Sequence, residues 1–403
     1  MKIMKRKITL FILAALVLWM ASVVQAQVSV STYAGSTAGY TDGSLSEAQF
    51  DQPRALLFDE SGNLYVAEYN NEAVRKITSG GTVSTLTTEK IYWPFQMTLA
   101  DGKLYVMQRG TSSYINQIDM TTGVVTTMSY GSYNYSLGLC SDAAGNLYVS
   151  DYHSIYKVPT DTRQKTLLAG GGSESGFIDG TGSAARFNYP GYMAIDASGN
   201  IYVTDGENHA IRKITPAGVV TTLAGSGTAG SADGTGTAAS FNGPSGIAIS
   251  PKDGHLYVSE WKNHTIRKIT LPDGVVTTIA GIAGTSGNDN GSGASATFNQ
   301  PRGLTFDAVG NLYVADYNNH QIRKITFTTT GVANAAADKE YSLTARKEEI
   351  AISSPSKINV QVYSLTGAAI YNSTLSAGSH TIPMKQGVYV VKVNGGVEKV
   401  VVR

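Results

Sequence analysis

The apolar positions of the chain fall in short runs separated by turns rich in Gly, Asn and Asp. One run recurs six times: a Gly, a polar residue, Leu or Ile, then Tyr-Val, at Gly62–Val66, Gly102–Val106, Gly145–Val149, Gly199–Val203, Gly254–Val258 and Gly310–Val314. Successive copies are 40, 43, 54, 55 and 56 residues apart, the period of a four-stranded repeat unit. The Leu-Tyr-Val run is apolar on consecutive positions, as a strand covered on both faces must be. It is preceded by an apolar strand such as Tyr192-Met193-Ala194-Ile195 and a turn Asp-x-x-Gly-Asn, whose last two residues tolerate positive φ. It is followed by Ile-Arg-Lys-Ile (Ile211–Ile214, Ile266–Ile269, Ile322–Ile325) and then by Val-Val-Thr-Thr-Leu/Ile-Ala-Gly (Val219–Gly225, Val275–Gly281). Val and Thr are β-branched and favour strands.

The sixth copy, ending near Phe327, lacks a Val-Val-Thr-Thr strand of its own. Val28-Ser29-Val30-Ser31-Thr32-Tyr33-Ala34-Gly35 looks like the missing one. Six fourth strands then match six sets of the first three. This predicts an all-β protein: a six-bladed β-propeller over residues 27–330, closed by the N-terminal strand. Residues 331–346 read as a linker, and residues 347–403 as a small β-sandwich punctuated by Gly367, Gly378, Gly387, Gly395 and Gly396.

The stretch from Phe298-Asn299-Gln300-Pro301-Arg302-Gly303-Leu304 through Gly310-Asn311-Leu312-Tyr313-Val314 to His320-Gln321-Ile322-Arg323-Lys324-Ile325 resembles the NHL repeat. The resemblance spans residues 28 to about 327 and is fullest in copies 1, 4, 5 and 6. Copies 2 and 3 lack the Phe-x-x-Pro opening and the full Asn-His ending. It implies a propeller and leaves the ligand open, because one fold hosts many functions. Val362-Tyr363-Ser364-Leu365-Thr366-Gly367, Gly387–Val393 and the terminal Lys399–Arg403 resemble the sorting tail of the type IX (Por) secretion system of Bacteroidetes. That resemblance implies outer-membrane secretion machinery as a partner of residues 347–403. Ser354-Pro355-Ser356-Lys357 stands where such tails usually open with Pro-Asn-Pro.

Charge and composition narrow the setting. Lys2, Lys5, Arg6 and Lys7 precede an apolar stretch from Ile8 to Val24, and Val24-Gln25-Ala26 offers small residues to a signal peptidase. Residues 1–26 therefore read as a signal peptide removed after Ala26, and the protein as secreted or held at the cell surface. No later segment is apolar for long enough to span a membrane. The remaining chain carries 27 basic against 30 acidic residues, which gives no electrostatic case for nucleic-acid binding. Cys140 is the one cysteine, and Ala194, Ala248 and Thr305 hold its place in other copies, so it reads as a small core residue.

The search for chemistry returns mostly repeated features. His209, His264 and His320 are equivalent residues of three consecutive copies, which explains their recurrence without a metal. Glu68, Asp151, Asp205, Glu260 and Asp316, with Arg75, Arg212, Arg267 and Arg323, read as ion pairs of the scaffold. The Asp-Gly inserts before Phe50, Phe187, Phe241 and Phe298 read as turns with a phenylalanine plug; their spacing does not match a Ca²⁺ loop. There is no nucleophile elbow and no His-Glu-x-x-His, so no catalytic residue and no cofactor is assigned. The departures from the repeat point instead to aromatics on one face. Tyr69, Tyr152, Trp261 and Tyr317 follow the recurring acid, and Trp93 and Tyr133 lie in the shortened connections into copies 2 and 3. Rings beside acids suit carbohydrate stacking or peptide recognition. The expected function is a recognition or scaffold module for a glycan or protein ligand. The alternatives are a metal-dependent propeller enzyme of the lyase or lactonase kind and a purely structural envelope protein.

Overall fold

The computed structural model describes residues 26–109, 113–133, 137–329, 341–346, 348–364, 368–393 and 396–402. The expected signal segment up to residue 25 and most of the expected linker lie outside them. The chain divides into two compact units, Gln27–Thr328 and, beyond it, Thr329–Arg403. Among the described residues the structure is strand and turn, and no helix is long and apolar enough to cross a membrane.

The first unit holds six antiparallel sheets, numbered I to VI here in chain order. Sheet I runs from Pro53–Phe58 through Leu64–Glu68 and Ala73–Ile77 to Thr82–Thr85, with Gly43–Ser44 added at its outer edge. Sheets IV and V repeat this order, starting from Pro190–Ile195 and Pro244–Ile249. Sheets II and III, whose sequences depart most from the repeat, still form four strands each, from Pro94–Ala100 to Val125–Tyr133 and from Leu139–Ser141 to Thr166–Gly170. In sheet VI the strands Pro301–Phe306, Leu312–Asp316 and Gln321–Thr329 are followed by Ala26–Ala34, which pairs on its far side with Gly291–Ser292. The register Ser29↔Ser292, Val30↔Gly291 matches Thr82↔Ser44, Val83↔Gly43 in sheet I. The N-terminal segment thus occupies the fourth place of the last sheet.

The first strands of neighbouring sheets lie against one another: I on II, II on III, and so on to V on VI, with Pro301–Phe306 of VI against Pro53–Phe58 of I. The approach is backbone to backbone. A Cβ on Gly303 would stand 2.5 Å from the Arg54 carbonyl oxygen, and one on Gly246 would stand 2.3 Å from that of Arg302. Each sheet is itself open; the adjacency runs between sheets.

The repeated residues are explained by what they satisfy. In the Asp-x-x-Gly-Asn turn of sheet I, Asp59 accepts from the Asn63 backbone N–H and side chain, each at 2.8 Å, and from the Tyr65 hydroxyl at 3.1 Å. Asp142, Asp196 and Asp307 do the same in their sheets. Burial works to raise the Asp59, Asp142 and Asp196 carboxyls, but these hydrogen bonds outweigh it and hold them below the ordinary range. The tyrosine is thereby fixed on a strand buried on both faces, as in Leu64–Glu68. Phe50, Phe187, Phe241 and Phe298 are fully buried, each worth roughly 1.5–3 kcal/mol of burial.

The second unit comprises a three-stranded sheet, Ser342–Arg346, Glu349–Ser354 and Gly378–Pro383, and a four-stranded sheet ordered Ala369–Leu375, Ile358–Ser364, Gly387–Val393, Gly396–Val402. Ile350, Ile352, Val360, Val362, Ile382 and Val391 form its core. Alternate positions along Glu349–Ser354 are buried, the period-two signature of a strand with one covered face.

Candidate functional site

Most of the charged residues that recur are used by the scaffold. Arg267 Nη1 donates to Glu260 at 2.9 Å and to the Ser240 carbonyl at 3.1 Å; Nη2 donates to Asp233 and to the Ala232 carbonyl, at 2.8 and 2.9 Å. Asp233 in turn accepts from the Thr278 N–H and hydroxyl. Arg75, Arg212 and Arg323 repeat the arrangement, with Asn290 in place of the insert Asp in sheet VI. Each guanidinium also lies over the plug phenylalanine of its own sheet, 5.1–5.4 Å from the ring centroid. The Arg therefore clips the Asp-Gly insert onto the sheet.

The histidines join one sheet to the next. His209 Nδ1 accepts from Gly243 N–H, His264 from Gln300 N–H and His320 from Gln52 N–H, at 3.4, 3.0 and 3.2 Å. His153 does the same for Tyr189 at 3.2 Å. An accepting Nδ1 is a neutral imidazole, and burial lowers His153, His209 and His264 toward that form. The three histidines raised as metal candidates thus serve three separate junctions, and among the described residues no group of three or more His, Cys, Asp or Glu is placed to hold a metal ion.

The centre, where the first strands meet, is different. Five of these strands open with Pro, followed by Arg54, Phe95, Gly191, Ser245 and Arg302. Arg54 is only 7% exposed. Its guanidinium carbon lies 3.3 Å from the Phe95 ring centroid, 5.1 Å from Tyr69 and 5.7 Å from Tyr317. Arg302 lies 4.4 Å from Trp261 and 5.3 Å from the same Tyr317. Among the described residues no carboxylate pairs with either; their buried Nε atoms lack an acceptor, as do those of Arg212, Arg267 and Arg323. Burial, with the neighbouring Arg54 charge adding to it, pushes Arg302 down to about 10, so Arg302 remains a cation at neutral pH. Across the centre, Tyr192 donates its hydroxyl to the Arg54 carbonyl at 3.2 Å. Gln96 ties sheets II, III and IV together, donating to the Met193 carbonyl and accepting from Leu139 and Met193 N–H groups.

Four of the six aromatics singled out from sequence gather over these arginines. Tyr69 and Trp93 stack at 6.1 Å with 15° between their planes, and Tyr69 meets Tyr317 at 6.1 Å. Trp93 projects from a left-handed residue (φ 46°) ahead of Pro94 and is 43% exposed. Trp261 folds over Gly243, where a Cβ would stand 2.5 Å from the indole nitrogen. Lys262 adds a cation 4.9 Å from the Trp261 centroid. The Tyr317 hydroxyl is anchored on Gln52 at 2.6 Å. Tyr152 belongs to another group, with ring contacts to His153 and Tyr189 at 4.8 and 5.9 Å. The side chain of Tyr133 lies outside the described residues. Arg54 and Arg302 lie in the first strands and not in the loops, outside the motif positions that vary around the acid. The available signal was Pro-Arg at 53–54 and 301–302, against Pro-Gly and Pro-Ser in sheets IV and V.

Comparison with known proteins agrees with this architecture. Residues 39–235 match the Teneurin NHL domain, residues 241–269 and 298–325 match the NHL repeat, and residues 346–403 match a secretion system C-terminal sorting domain. Protein SUPPRESSOR OF QUENCHING 1, chloroplastic, of Arabidopsis thaliana is 28% identical over 59% of this chain, and NHL repeat-containing protein 2 of Homo sapiens is 27% identical over 79%. The chain spans 26% and 44% of their respective lengths. A solved structure described as an auxiliary nutrient binding protein from Bacteroides thetaiotaomicron VPI-5482 superposes with TM-score 0.63 at 21% identity, covering 75% of this chain and 77% of that one. At that identity the likeness concerns the fold. From these matches the chain belongs to the NHL-repeat family and carries a Por-type secretion sorting tail.

Proposed function

We propose that the protein is an exported recognition module that binds a glycan or protein ligand at the cell surface. In this reading residues 1–26 are removed on export and residues 347–403 engage the outer-membrane secretion machinery. The six sheets are the blades of one propeller, closed by the N-terminal strand. The ligand sits on Tyr69, Trp93, Trp261 and Tyr317, with Tyr152 and Tyr133 as the remaining contacts expected from the repeat. One observation carries the reading: rings that range from exposed Trp93 to buried Tyr317 converge on two arginines with no carboxylate partner among the described residues. A sorting tail that points to export, and a fold neighbour described as nutrient-binding, are in keeping with it.

The test is binding of the full chain to a panel of polysaccharides and envelope proteins, beside Trp261→Ala. Saturable binding that weakens about tenfold or more in the variant is expected, the usual cost of truncating an aromatic anchor. Binding that Trp261→Ala leaves unchanged would place the site elsewhere.

A further inference from the structure

Six arginines stand at the repeats and the centre, five of them buried and Arg302 half-buried, and they fall into two kinds. Arg75, Arg212, Arg267 and Arg323 each have a buried carboxylate within 2.9 Å. Among the described residues Arg54 and Arg302 have none, although they share Tyr317 as a neighbour and stand close enough to repel one another. Taking a guanidinium out of water without a counter-charge is costly, and placing two together adds like-charge repulsion. Nothing in the NHL repeat demands arginine there, since Gly191 and Ser245 hold the equivalent place in sheets IV and V.

We infer that the ligand is an acidic glycan, and that the carboxylate of a sugar-acid residue occupies the space between the Arg54 and Arg302 guanidiniums while its ring and neighbours stack on Trp93 and Trp261. This rests on the recognition reading above and specifies its ligand class. A carboxylate matches the planar fork of arginine, and two forks can share its oxygens. Aromatic faces suit the apolar side of a sugar ring. The first strands lie against each other around the centre, so what is offered is side chains rather than a free strand edge, which an extended peptide would want. Lys262 beside Trp261 extends the positive charge outward along the path a longer acidic chain would take.

The experiment titrates the full chain with trigalacturonate, with its fully methyl-esterified form and with a neutral galactan trisaccharide. It compares wild type with Arg302→Gln and Arg302→Lys and includes an unliganded thermal melt of each. The expected result is saturable binding of the uronate, weakened about ten- to a hundredfold by esterification or by Arg302→Gln and largely kept by Arg302→Lys. The melt is the second readout: unliganded Arg302→Gln should melt at or above wild type, because a half-buried cation that repels Arg54 has been removed. Equal binding of acid, ester and neutral sugar, unaffected by Arg302→Gln, would overturn the acidic-ligand inference and leave the recognition reading standing. Binding of a peptide with a free C-terminal carboxylate, and of no sugar, would overturn the glycan class. No binding to any sugar here or to any member of the wider panel would overturn both. A clear fall in the melting temperature of Arg302→Gln would contradict the unpaired state of the two arginines.

Discussion

Arg267→Leu is expected to cost about 3–5 kcal/mol, the range found when one partner of a buried ion pair is removed. Glu260 and Arg267 are both fully buried, and the salt bridge between them is 2.9 Å long. The leucine would leave Glu260 charged in the interior, held by Asn263, Thr265 and the Asn242 N–H alone. It would also release Asp233 and the carbonyls of Ala232 and Ser240, so the insert that caps sheet V would lose its clip. In a thermal melt the transition should fall by about 5 °C or more, at roughly 1.6 °C per kcal/mol for a unit of this size. Adding Glu260→Gln to Arg267→Leu should recover part of the loss, because the uncompensated charge goes while the acceptor stays. A single variant that melts within about 1 °C of wild type would show that the pair is ornamental.

Deleting residues 27–35 is expected to do more damage still. Those residues supply the fourth strand of sheet VI, hydrogen-bonded between Gln321–Thr329 and Gly291–Ser292, and they bury Val30 and Ala34. Without them the edge of Gln321–Thr329 is an open template for pairing with another chain. The junction between the last and first sheets would keep the packing of Pro301–Phe306 on Pro53–Phe58 and ties such as Gln52 to His320 and Tyr317, but would lose all that the N-terminal strand adds. Size-exclusion chromatography should show loss of the wild-type species to aggregates, and the cooperative melt should be lost. Moving the same residues to follow Thr328 in a circular permutant should restore both, since in the other sheets the fourth strand follows the third directly. A deletion variant that elutes as wild type does, with an unchanged melt, would contradict closure by this strand.

The repeat made the strands legible, because each motif residue has a local task. Asp59, Asn63 and Tyr65 satisfy one another within a turn, and Leu64 and Val66 must be apolar to lie between layers. The pairing of the N-terminal segment was readable for the same reason, as a missing motif at one end and a spare one at the other. The role of the histidines was not, since the hydrogen bond that Gln300 N–H donates to His264 Nδ1 depends on how one sheet meets the next. Nor was the centre. Arg54, Phe95, Tyr192 and Arg302 come from four different sheets, and no spacing within a repeat brings them together. Tyr152 shows the converse: it shares its motif position with Tyr69 but, in a shorter hairpin, turns to His153 and Tyr189.

The central claim is that ligand binds where these rings meet, and residues 27–403 report on it directly, because their only tryptophans are Trp93 and Trp261. Intrinsic fluorescence of that protein should be followed while a ligand from the panel is titrated in. The account predicts a saturable change in emission whose midpoint matches the calorimetric affinity and whose amplitude falls in Trp93→Phe and in Trp261→Phe. Saturable calorimetric binding with no change in tryptophan emission would contradict it.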